Sequence, residues 1–149
     1  MADAEPSMGY LMHWGARLLR RLADRRLKAL GFSSAYLPIV GTLADAGALS
    51  QKALAAAVSI EQPTMAATLA RMERDGVVAR TPDPNDGRSF LFSLTPETKR
   101  KLPAMRRIIE QVNDEALAGL PAGERARFRV QLLAAIRGME AELRGDAEG

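Results

Sequence analysis

The feature that most constrains this chain is a change of period at Gly76. Upstream, apolar residues recur at three- and four-residue spacing; downstream, the pattern turns extended. Val77-Val78-Ala79-Arg80 and Phe90-Leu91-Phe92-Ser93-Leu94 read as two strands with β-forming content. Residues 81–88 between them hold two prolines, Asn85 and Gly87, and read as a long polar hairpin tip. Few folds place a single hairpin after a run of short helices.

Those helices follow from local signals. Residues 8–30 carry Leu11, Trp14 or Gly15, Leu18 and Leu22 on one side, widened by Leu19, Leu27 and Leu30, and Gly31 supplies the stop. A helix apolar on more than one side must bury both, against its own core and against another chain. Ser33 or Ser34 caps a second helix with Tyr36, Leu37, Ile39, Val40 and Leu43, with Pro38 in its first turn and an end near Gly47. Ser50 caps a third, residues 51–57. Pro63 opens a fourth that runs to about Asp75. The expectation is a mainly α chain with a small β-hairpin, in the order of a winged helix-turn-helix.

After the hairpin, Thr95 caps a helix over 96–118, with Leu102, Met105, Ile108 or Ile109, Val112 and Leu117 on its apolar side. Pro103 inside it predicts a kink or break near the start. A turn at 119–123 leads to a last helix over 124–144 with Phe128, Leu132, Leu133, Ile136, Met139 and Leu143, then a loose tail over 145–149. At 149 residues the chain has room for one domain, residues 1–149.

Composition removes several classes of chemistry. There is no cysteine, and His13 is the single histidine, so thiol redox chemistry and the usual zinc ligand sets are excluded. No glycine-rich phosphate loop or nucleophile elbow is present, and the chain does not read as an enzyme; no cofactor is implied. No apolar run approaches the ~18 residues of a membrane span, and residues 1–7 lack the pattern of a signal peptide. The expected location is the cytoplasm.

Formal net charge is +3, a mild lean toward polyanions. Residues 17–28 concentrate six cations against Asp24 alone. A solvated helix face and a contact with nucleic acid or partner are both consistent with that run.

The fourth helix carries the functional signal. Met65, Leu69 and Met72 fall on one face, while Pro63, Thr64, Ala67, Arg71 and Arg74 fall on the other. The outward stripe is small at its N-terminal end and basic further on, a shape that enters a major groove without clash. Gln62 and Thr64 suit base edges, Pro63 and Ala67 a thymine methyl, and Arg71 a phosphate or base. The hairpin ends in Asp86-Gly87-Arg88, and an arginine on a ribbon suits a narrow minor groove. Asp86 orients Arg88 or pairs with a helix arginine.

Ser50-Gln51-Lys52-Ala53-Leu54-Ala55, Gln62-Pro63-Thr64-Met65, Arg71-Met72-Glu73-Arg74-Asp75-Gly76-Val77-Val78, Arg80, Asp83-Pro84-Asn85-Asp86-Gly87-Arg88 and Leu94-Thr95 together resemble the MarR family, the multiple-antibiotic-resistance-type regulators. The resemblance covers the central half of the chain. It implies a winged helix-turn-helix lobe over 33–95 flanked by dimerisation helices at 8–30, 96–118 and 124–144. It implies a homodimeric transcriptional regulator, a repressor relieved by a small molecule, on a pseudo-palindromic double-stranded DNA operator. DNA contacts carry over to Gln62, Pro63, Thr64, Ala67, Thr68 and Arg71, with Asp86 and Arg88 in the wing. Ala67 stands where the family often has a larger polar residue, and Thr98 where glycine is common. Effectors in the family often sit between the dimerisation helices and the DNA-binding lobe, which here nominates His13, Trp14, Arg17 and Tyr36, with Met105 beside them, for a small aromatic or phenolic effector. The alternative is a winged-helix protein-interaction module without specific DNA binding; residues 50–95 hold five cations and five acids.

Overall fold

The computed structural model describes residues 5–145. Its elements are α1 (Met8–Leu27), α2 (Leu37–Ala46), β1 (Ala48–Ser50), α3 (Gln51–Ala57), α4 (Gln62–Arg74), β2 (Val78–Asp83), β3 (Asp86–Leu94), α5 (Pro96–Ala116) and α6 (Ala122–Gly145). The chain divides into two compact units, residues 1–112 and 113–149. Of the loose tail, all but Gly145 lies outside the described residues; Gly145 closes α6.

In the first unit, local chemistry sets each boundary. The Ser7 hydroxyl accepts a hydrogen bond from the Tyr10 N–H and caps α1. A 3-10 turn over Lys28–Leu30 follows, and Gly31 ends it with φ 75°. Ser33, rather than Ser34, is the side-chain cap of the next segment, a 3-10 turn over Ser34–Tyr36 that leads into α2. The Ser34 N–H instead donates to Asp24 Oδ1 at 2.7 Å, tying this turn back to α1. The core gathers Leu27, Phe32, Ile39, Val40, Leu43, Leu54, Met65, Leu69, Met72, Val78, Phe92, Leu94 and Met105.

Two expectations about the sheet are corrected. It has three strands, in the order β1-β3-β2, not two. Ala48, Leu49 and Ser50 pair antiparallel with Ser93, Phe92 and Leu91, a stretch too short to show a period of its own. The hairpin arms are also longer than the strand pattern implied. Thr81 pairs with Leu91 and Pro82 with Phe90, and the irregular end at Asp83 opposite Asp86 leaves only Pro84 and Asn85 unpaired. Pro82 sits in β2, which is an edge strand and tolerates the missing N–H.

α5 is continuous through Pro103. The break that proline predicts does not occur, because Pro103 is on an exposed face where water can take the carbonyl it leaves unbonded. The helix start is clamped: Thr98 is buried, its hydroxyl donating to the Val77 carbonyl at 2.9 Å, and the Thr95 hydroxyl donates to the Gly76 carbonyl at 2.8 Å. A glycine at position 98 could not make the first of these bonds. Lys101 bonds Glu97 at 2.7 Å and the Leu30 carbonyl at 3.2 Å, and its ammonium holds the Glu97 carboxyl below its ordinary value.

The second unit contains α6, none of whose residues is buried. Phe128, Val130, Leu132, Leu133, Ile136, Met139 and Leu143 are all exposed. Arg125 closes the preceding turn, its Nε reaching the Leu120 carbonyl at 3.4 Å and its Nη1 lying 4.0 Å from Asp114.

Candidate nucleic-acid interface

The geometry begins with the turn between α3 and α4. The Ser50 hydroxyl caps α3 by accepting from the Ala53 N–H at 3.2 Å. At the other end Ser59 adopts φ 53°, and the Ile60 N–H reaches back to the Ala55 carbonyl at 3.0 Å while that of Ser59 reaches Ala56 at 3.4 Å. This is a Schellman closure with serine in the left-handed position usually taken by glycine. It reverses the chain between Ala57 and Gln62 and launches α4 against α3. Gly76, at φ 71°, closes α4 the same way through Val77 N–H to Met72 O at 2.8 Å.

Burial then sorts the faces of α4. Met65, Leu69 and Met72 are fully buried, while Gln62, Pro63, Thr64, Ala67, Arg71 and Arg74 are exposed. A single helix therefore presents one continuous stripe to solvent, small at the start and basic at the end. Thr68 departs from its expected role as a direct contact. It is only 6% exposed, its hydroxyl donates to the Thr64 carbonyl at 2.9 Å, and Arg71 Nη2 donates to it at 3.4 Å. Thr68 braces Arg71 from beneath.

Carboxylates shape the wing. Asp83 accepts from the Asn85 N–H at 2.9 Å and from the Ser89 hydroxyl at 3.3 Å, and Asp86 accepts from the Arg88 N–H at 3.0 Å. Both acids thus direct hydrogen bonds to the local turn. Arg88 is exposed, and among the described residues its guanidinium has no ion-pair partner. Arg80 is its opposite. Its Nε lies 3.1 Å from Glu73 Oε1, and its guanidinium stacks 4.8 Å over the Phe90 ring, which pins β2 to the end of α4. Between the starts of α3 and α4 and the wing lies an open cleft of about 510 Å³, lined by Gln51, Lys52, Gln62, Arg80, Asp86 and Phe90 among others.

The Glu73–Arg80 pair was not legible as a contact, because Glu73 next to Asp75 reads as an acidic helix end. Tyr36 is the larger surprise. It is 5% exposed, and its hydroxyl donates to Asp75 Oδ2 at 2.7 Å. Burial first, then the bond and charge of Asp75, push its pKa up, with Arg71 and Arg74 pulling the other way. The stability from this bond is therefore complete below the ordinary tyrosine value of 10.0 and is lost as pH rises through the raised value.

That placement corrects the effector-site expectation. Tyr36 is a core residue with an occupied hydroxyl and offers no face for stacking. His13, Trp14 and Arg17 are exposed on α1, with Trp14 at 43% exposure beside the Tyr10 ring at 5.9 Å. Met105 is buried and lines a different cleft, of about 260 Å³, with Leu37, Val40, Asp45, Leu102 and Arg106. Neither of the two clefts described is lined by His13, Trp14, Arg17 or Tyr36. Among the described residues, no group of three or more His, Cys, Asp or Glu side chains could hold a metal ion, and no single helix is long and apolar enough to cross a membrane.

A short helix, a tight turn, an outward-striped helix and a three-stranded wing define a winged helix-turn-helix lobe. Residues 33–90 match the model of the MarR family. Solved structures agree in fold. A probable transcriptional regulator from Pseudomonas aeruginosa superposes with a TM-score of 0.80 at 23% identity, covering 89% of this chain and 98% of that one. A MarR transcriptional regulator from Methanosarcina mazei gives 0.80 at 19% identity, with coverage of 90% and 96%. A mutant MarR from E. coli, complexed with operator DNA, gives 0.77 at 23% identity, with coverage of 86% and 92%.

Proposed function

We propose that this protein is a DNA-binding transcriptional regulator that reads double-stranded DNA with α4 in the major groove and Arg88 in the adjacent minor groove. The observation that carries this reading is the pairing of α4's exposed stripe with the exposed Arg88 near the tip of the wing. One relative of the same fold is known with operator DNA bound. Gln62 and Thr64 supply hydrogen-bonding groups for base edges, Pro63 and Ala67 leave room for them, and Arg71 and Arg74 reach a base edge or a phosphate.

The neutral charge of residues 50–95 does not favour a protein-interaction module. Glu73 is taken up by Arg80, Asp75 by Tyr36, and Asp83 and Asp86 by the wing turn. Most of the acids are committed internally, while Arg88 is not. We further infer that the chain acts as a cytoplasmic homodimer, with α6 and the first turns of α1 as the apolar surfaces that a second copy covers. Two such lobes related by a two-fold axis read half-sites about one turn (~10 bp) apart, and occupancy of a promoter by the dimer represses it.

The test is selection of DNA fragments by the purified protein from a random pool. Enriched sequences should form a pseudo-palindrome with that spacing. Enrichment of single asymmetric sites would refute the dimeric arrangement, and no enrichment at all would refute specific DNA reading.

A further inference from the structure

Asp75 occupies a position where an acid is locally unfavourable. It caps the C-terminal end of α4, where unbonded carbonyls concentrate negative potential. Two groups hold it there. The Tyr36 hydroxyl donates to Oδ2 at 2.7 Å, and Arg74 Nε lies 3.9 Å from Oδ1. The two anchors differ in kind. Arg74 is a long, exposed side chain with its own freedom, whereas Tyr36 has its ring in the core and its hydroxyl fixed by packing.

A rigid donor from the segment entering α2 therefore sets the position of a carboxylate in the last turn of α4. Arg71 and Arg74 are both near enough to affect ionisation of the Tyr36 hydroxyl. Tyr36, Arg71, Arg74 and Asp75 are one electrostatic cluster at the basic end of the outward stripe. An unanchored carboxylate would leave Arg74 without a fixed counter-charge.

We propose that Tyr36 and Asp75 are positioning residues, the buried phenol holding the carboxylate that orients the DNA-facing Arg74 of α4. The proposal rests on the DNA-binding reading above. It predicts a loss of discrimination rather than of charge. Tyr36→Phe removes one oxygen and no cation, so the salt dependence of DNA binding should not change.

The experiment measures the full chain, its Tyr36→Phe variant and its Asp75→Ala variant. Each is titrated against a fragment enriched by the wild type and against a random duplex, over a range of salt concentrations. Tyr36→Phe should weaken binding to the enriched fragment by about tenfold and leave random DNA within about twofold, at an unchanged salt slope. Asp75→Ala should lower the same ratio, and the double variant should do no worse than the worse single, because the two side chains act through one bond. Should Tyr36→Phe melt early, exposed Asp75→Ala carries the test by the same ratio. An unchanged ratio in both variants, or additive losses in the double, would overturn the proposal while leaving DNA binding intact. A wild-type chain that enriches no fragment overturns the DNA-binding reading, and this proposal falls with it.

Discussion

α4 and α6 carry apolar residues at the same three- and four-residue spacing, yet they meet opposite fates. Met65, Leu69 and Met72 of α4 are fully buried, whereas Phe128, Leu132, Leu133, Ile136 and Met139 of α6 are all exposed. Helical period identifies a stripe and says nothing about what covers it. The stripe on α4 joins a core shared with α1, α2, α3, α5 and the sheet, and its other face is exposed. The stripe on α6 has no such answer in its own unit and needs one from outside.

The largest effect expected from this contrast is in the lobe. Leu69→Ala leaves a cavity in a site with no exposure and should cost about 2–5 kcal/mol, read by denaturant unfolding. A cost below about 1 kcal/mol would mean that the lobe is loosely packed and that α4 is not held rigidly. The complementary change is Leu133→Glu on α6. If a second copy covers this face, sedimentation should shift from dimer to monomer mass, and the melting temperature should lose its dependence on protein concentration. A bare, solvated α6 would show neither change, since surface substitutions rarely move stability by more than about 0.5 kcal/mol. That outcome would break the comparison.

The same contrast explains what the sequence made legible. Gly31 and Gly76 marked helix ends because left-handed backbone there favours glycine, and both adopt it. The inward and outward faces of α4 followed from period alone, since a 13-residue helix shows the pattern more than three times over. β1 was hidden because three residues carry no period and exist as a strand only by pairing with β3. The hairpin tip was misjudged for a related reason. Pro82 and Asp83 are turn formers by type but lie within β2, where Asp83 accepts hydrogen bonds across the turn.

Site residues divided along similar lines. Exposed groups such as Gln62, Thr64 and Arg88 could be placed from helical phase or hairpin position. Thr68 and Tyr36 could not, because their roles depend on tertiary partners, the Arg71 guanidinium and the Asp75 carboxylate. A tyrosine on an apolar helix face looks the same in sequence whether its hydroxyl meets solvent, a ligand or an aspartate 39 residues away.

The central claim is that α4 reads sequence while the wing supplies charge, and it is tested most directly by comparing Gln62→Ala with Arg88→Ala on the enriched fragment and on random DNA across salt concentrations. Gln62→Ala should cost about 1–3 kcal/mol on the enriched fragment and little on random DNA, with the salt slope unchanged. Arg88→Ala should weaken both and lower the slope by about one, the signature of one lost cation. Equal losses on both DNAs from both variants, or a slope that does not move with Arg88, would contradict the account.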